Sequence, residues 1–141
     1  MSFKEKSILG SLILTIVVFG YYFVQVFKTT DYSSLLEVTN GIGFFIGAVV
    51  LMVLLEIILH IILAITSKNE SNQSDDERDK LIDLKATSIS YYILVFGVFM
   101  VGVSMLFSFD TLLLANTMLL FFIIAEIVGF SMQLYYYRRG V

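Results

Sequence analysis

The chain has 141 residues, 58% of them hydrophobic and 15% charged, with a formal net charge of −3. Soluble domains average roughly 45–50% apolar and about 25% charged residues, so a chain this short has too little polar surface for a water-soluble fold and takes the bilayer as its solvent. With no cysteine, disulfides, thiolate nucleophiles and cysteine metal sites are excluded, and with no proline no helix is broken by that residue.

A membrane span needs about 20 mostly apolar residues. Four stretches qualify: 7–27, 41–66, 87–107 and 111–135. None shows the alternation of a barrel strand. The first follows Lys4 and Lys6 and ends in "YYFVQVFK", without the small residues of a cleavage site, so it reads as a retained span. The outer connection 28–40 is too short for a domain; its "SSLLEV" fits one interfacial helical turn. The polar run 67–74 joins spans two and three. Spans three and four are joined so tightly that they must be antiparallel neighbours, with Ser108 or Asp110 as the helix cap.

Every lysine and arginine except Lys28 falls on one side of these spans. The positive-inside bias therefore places both termini and the 67–86 connection in the cytoplasm. There is no tryptophan, so the interfacial aromatic belt is built from tyrosine: Tyr91, Tyr92 and 135–137 inside, Tyr21, Tyr22 and Tyr32 outside. The expected fold is an all-α, four-span membrane bundle, a single domain over 1–141.

Glu56 and Glu126 stand out. Each lies twelve residues before a cytoplasmic base, Lys68 or Arg138, which is about 18 Å of helix and so close to mid-bilayer. Ionisable groups at that depth usually face the bundle interior or a cavity. One reading is a proton or cation site between helices; the other is a pair of neutral carboxylic acids holding spans together. His60 is one turn from Glu56 on the same face, as a proton relay or simply a bonded partner. A lone histidine without cysteine is a poor metal signal. The matched depths also hint at a duplicated helical hairpin. Ser104, Asn116, Thr117, Ser131 and Gln133 are expected to hydrogen-bond across helices, and Gly43-x-x-x-Gly47 and Ala125-x-x-x-Gly129 to allow close approach.

Ser74 and Glu77 fit a capping box, with acidic residues crowding the first turn. Nothing afterwards stops the helix, so 75–86 should continue into span three and project below the membrane as one helix. Leu81, Leu84 and Ser88 form a stripe on it, which suits packing on its own bundle or docking of a partner. Asp76, Glu77, Asp79 and Asp83, set against Arg78, Lys85, Arg138 and Arg139, are expected to lock the inner end of the last hairpin.

The run "DERDKLI", Asn116 and Ala125-Glu126 in the last span, and the closing Tyr137 to Gly140 resemble a family of small bacterial integral membrane proteins, a domain of unknown function. The likeness covers 75–141. It implies a bacterial inner membrane location and no established activity.

No catalytic constellation is present, so the chain does not read as an enzyme, and no cofactor or metal is expected. The bases are too few and too mixed with acids for nucleic acid. The expected partners are the bilayer, a second copy in a dimer, and a protein at the cytoplasmic face. The leading functional reading is a non-enzymatic interaction or regulatory protein docking through 75–86. The alternative is a small proton- or cation-coupled transporter or channel using Glu56 and Glu126.

Overall fold

The computed structural model describes residues 3–28, 38–66, 77–107, 109 and 111–140. These residues form four helices and no strand: α1 (Phe3–Lys28), α2 (Val38–Thr66), α3 (Glu77–Met105) and α4 (Thr111–Arg139). Each is long and apolar enough to cross a membrane, as the run of apolar residues requires when no proline intervenes. The expected spans fall inside these helices, except that α3 ends at Met105. There the helix tightens: Leu106 N–H donates to Val103 O and Phe107 N–H to Ser104 O, both at 3.1 Å. α4 closes on Gly140, whose φ of 85° carries its N–H back to Tyr136 O at 2.9 Å; that left-handed conformation favours glycine. Glu77 and Asp79 in the first turn of α3, and Arg138 and Arg139 in the last turn of α4, complement the helix dipoles. The "SSLLEV" turn, the 67–74 connection, the Ser74 cap, and the Ser108 or Asp110 cap lie outside the described residues.

α3 runs unbroken for 29 residues from Glu77, so the charged run and the apolar run are one helix. Helix pairs pack as α1 with α2, α1 with α4, and α3 with α4. The spatial order is therefore α2, α1, α4, α3, and α1 is the element between the two hairpins. A two-fold exchange of hairpins would pair α2 with α3 as it pairs α1 with α4; no packing of that extent joins α2 and α3 among the described residues. The matched glutamates do not reflect a symmetric bundle.

The core lies in the half of the bundle nearer the end of α1. Phe19, Tyr22, Leu119 and Ile123 are buried together, with Phe23, Val26, Phe45 and Met52 against them. Tyr22, expected in an interfacial belt, is instead only 2% exposed. Its hydroxyl donates to Asn116 Oδ1 at 2.6 Å, and its ring stacks on Phe44 with centroids 5.1 Å apart. A buried hydroxyl needs a partner, and Asn116 supplies it across the α1/α4 contact. We expect Tyr22→Phe to lower stability by about 1 kcal/mol, read as a lower melting temperature in detergent; an unchanged value would show that the bond adds nothing.

The α3/α4 contact is closer. Ile82 and Ala86 are fully buried, Gly97 lies against the base of the Phe121 side chain, and Gly129 lies against Ser90. By contrast, a methyl group at Gly43 or Gly47 would meet nothing. The expected close approach occurs at Ala125 and Gly129, not at Gly43 and Gly47. α2 has no buried side chain among those described, and exposes Ile46, Leu51, Ile57, Ile61 and Ile65. In water such a surface would drive association; against lipid tails it costs little.

Candidate functional site

Ser7, Ser11 and Thr15 recur every four residues along α1 and so share one stripe. Ser11 and Thr15 are almost completely buried. The stripe faces α2 where Glu56 and His60, also four apart, share a face. Ser11 Oγ donates to Glu56 Oε2 at 2.9 Å, and Thr15 Oγ1 donates to Ser11 O at 2.8 Å. His60 Nδ1 lies 2.9 Å from the Glu56 carbonyl oxygen and 3.4 Å from its Oε2; Ser7 Oγ lies 3.2 Å from His60 Nε2. With the proton on Nδ1, the ring donates to the carbonyl and accepts from Ser7. The result is a polar file of Ser7, His60, Glu56 and Ser11 in which Ser11 and Glu56 meet between the two helices and His60 lies on the exposed edge of the α1/α2 contact.

Glu126 enters from α4. Together with Glu56 it lines a cleft of about 380 Å³ between α2 and α4, floored by Thr15 and Phe19 of α1. Met52, Phe122 and Phe130 supply much of the wall. Of the three residues of the expected proton or cation site, Glu56 and Glu126 share this cleft, whereas His60 meets Glu56 one turn along α2 and does not line it. Among the described residues, no group of three or more His, Asp or Glu is placed to hold a metal ion.

A second cavity, of about 250 Å³, opens where α1 and α3 begin and α4 ends, lined by Lys4, Ser7, Asp79, Asp83, Gln133 and Tyr137 among others. Ser7 therefore borders this cavity and also starts the file. Lys4 Nζ binds Asp79 Oδ2 at 2.7 Å, Tyr137 donates to Asp79 Oδ1 at 2.9 Å, and Gln133 Nε2 donates to Asp83 Oδ1 at 2.9 Å. These contacts put the first turn of α1, the first turn of α3 and the last turns of α4 at one end of the bundle.

The expected lock of carboxylates on arginines is corrected here. Asp79 takes a lysine from the first helix and a tyrosine. Arg78 Nη2 reaches Tyr137 O at 3.4 Å, Lys85 sits 5.9 Å from the Tyr136 ring centre, and Arg139 packs 5.4 Å over the Tyr135 ring. Arg138 and Arg139 are exposed. The reason is helical phase: Gln133 and Tyr137, four apart, face α3, and the two arginines follow roughly 100° and 200° further round. Asp76 lies outside the described residues, and Glu77 is exposed at the helix start.

A second correction concerns the scattered hydroxyls. Ser104, Thr117 and Ser131 do not bond across helices; each donates to the carbonyl four residues earlier in its own helix. Only Asn116 and Gln133 of that set make contacts across helices. The cross-helix work falls to Tyr22 of α1, expected in the tyrosine belt, and to Ser7 and Ser11, for which no such role was expected. The signal for the two serines was the four-residue spacing of hydroxyls at 7, 11 and 15.

No family model, curated protein or solved structure matches this chain.

Proposed function

We propose that this protein is a four-span carrier of the bacterial inner membrane, with cytoplasmic termini, that couples proton binding at Glu56 and Glu126 to solute movement. The observation that carries this reading is the polar file: it joins the cavity at the lysine- and arginine-rich end to a carboxyl in the bundle. A carboxyl held only by a neighbouring helix would need no such connection.

In this reading a proton arrives from water at the inner cavity through Ser7 and binds His60 Nε2. The imidazolium gives up its Nδ1 proton to Glu56 Oε2, 3.4 Å away. The ring is left neutral and the carboxyl becomes a carboxylic acid, which an apolar cleft tolerates far better than the anion. Glu126, facing the same cleft, shares the load. The orientation follows from the bases: Lys4, Lys6, Arg78, Lys80, Lys85, Arg138 and Arg139 inside, Lys28 outside. α3 is about 44 Å long, against about 30 Å of hydrocarbon, so its first turns stand in the cytoplasm.

Two measurements test the reading. The chain has no cysteine, so single cysteines can be introduced cleanly: Gly140→Cys in intact cells should resist an impermeant maleimide, and Lys28→Cys should react. For the activity, proteoliposomes containing a pH-sensitive dye should acidify after an external acid step. Absence of protein-dependent proton movement at every pH removes the carrier reading.

The exposed Leu81 and Leu84 on α3 favour a second reading, in which this turn docks a protein partner. That reading leaves function intact when the glutamates are neutralised and loses it when charges at 77–79 are reversed.

A further inference from the structure

The cleft between α2 and α4 has a composition that selects its occupant, and we infer that it binds a lipophilic organic cation, such as an aryl-substituted onium or a protonated aromatic amine. This inference rests on the reading of Glu56 and Glu126 as exchangeable carboxyls and names the solute they serve.

The size is that of a small-molecule site: about 380 Å³, within the roughly 300–1,000 Å³ common for such pockets. Its chemistry is two-sided. Phe19, Phe122 and Phe130, with Met52, offer ring faces and a polarisable sulfur, which attract cations and aromatic groups. Its ionisable groups are Glu56 and Glu126, and no lysine or arginine lines it. Glu56 has Ser11 and the nearby His60; Glu126, on the opposite wall, faces the cleft and Glu56. An ionised carboxylate in such a place calls for a cation from outside the chain.

Other occupants fit less well. Calcium takes about 6–8 oxygen ligands and zinc three or four donors rich in nitrogen or sulfur; here there are two carboxyls and Thr15, whose hydroxyl already donates to Ser11 O. A small hydrated cation gains nothing from three phenylalanines. An anion is repelled, and a neutral hydrocarbon leaves the carboxyls unexplained. A cation with apolar flesh uses every wall. The cleft is open on one side, and Val53 and Phe122 at its margin are about half exposed. That side belongs to the spanning part of the helices, so the solute reaches it from the bilayer, where a lipophilic cation already partitions.

The test uses two probes of the same shape and opposite charge, tetraphenylphosphonium and tetraphenylborate, in equilibrium dialysis against the full chain in neutral detergent. We expect saturable phosphonium binding and no saturable borate binding. Glu126→Gln should weaken phosphonium binding by about 30-fold or more, and Phe122→Ala by about threefold. Equal binding of the two ions by the unaltered protein overturns the inference, and that comparison needs no variant to fold. Unchanged phosphonium affinity in Glu126→Gln also overturns it. Proton movement in proteoliposomes without phosphonium binding rejects the cation and leaves the proton reading standing.

Discussion

Glu56→Gln and Glu126→Gln are each expected to reduce proton movement in proteoliposomes by about 100-fold or more, the scale on which loss of a positioned proton-transfer group is felt. Glutamine keeps the size of the side chain and still accepts a hydrogen bond, so Ser11 retains its partner at position 56. What disappears is the exchangeable proton. The folded yield and the melting temperature should therefore change little, which separates loss of chemistry from loss of fold. Proton movement within a factor of two of the parent in either variant contradicts a shared load. His60 adds a graded control: as a relay it sets how fast the site fills, so His60→Gln should slow filling while leaving the final extent of proton uptake unchanged.

Gly97→Leu should be the most damaging single change to stability. A Cβ at this position would overlap Phe121 Cβ and Cγ. Those atoms sit next to the α4 backbone, so no rotamer of Phe121 relieves the overlap, and α3 and α4 must move apart. Overpacking of a core typically costs about 1–3 kcal/mol and occasionally more; a close helix contact with backbone-proximal atoms on the far side belongs at the upper end. Thermal unfolding in detergent should show a clear fall for Gly97→Leu. Gly43→Ala and Gly47→Ala, where the added methyl meets open space, should be neutral or slightly stabilising, since alanine is favoured over glycine in helices by about 1 kcal/mol. Equal effects at Gly43 and Gly97 would contradict the packing described.

The four helices were legible because hydropathy over about 20 residues is a strong signal and no proline interrupts it. The tight pairing of α3 with α4 followed from the short turn. That Glu56 and Glu126 share a cleft, and that His60 meets Glu56, agrees with their helical phase in the sequence. Partner choice was not legible. Whether Asp79 meets Arg138, Arg139 or Lys4 depends on the rotation of α4 about its axis, and nothing local to either helix fixes that rotation. Ser11 and Thr15 were lost for a different reason: against a run of leucines and isoleucines, single hydroxyls look incidental, and only their four-residue spacing sets them apart. The glycines show the same limit. A small-xxx-small pattern marks where two backbones are able to approach, and Gly97, outside any such pattern, is where α3 meets Phe121.

The serine and threonine hydroxyls of α1 stop at Thr15, and beyond it come Phe19, Tyr22, Phe23 and Val26, with Tyr22 tied to Asn116. The helix is thus divided lengthwise into a half that carries serine and threonine hydroxyls and a half packed with aromatic side chains. On the proposed carrier reading, the first half lets protons reach the site and the aromatic half slows their onward escape, so movement across the bilayer follows turnover of the site rather than an open leak.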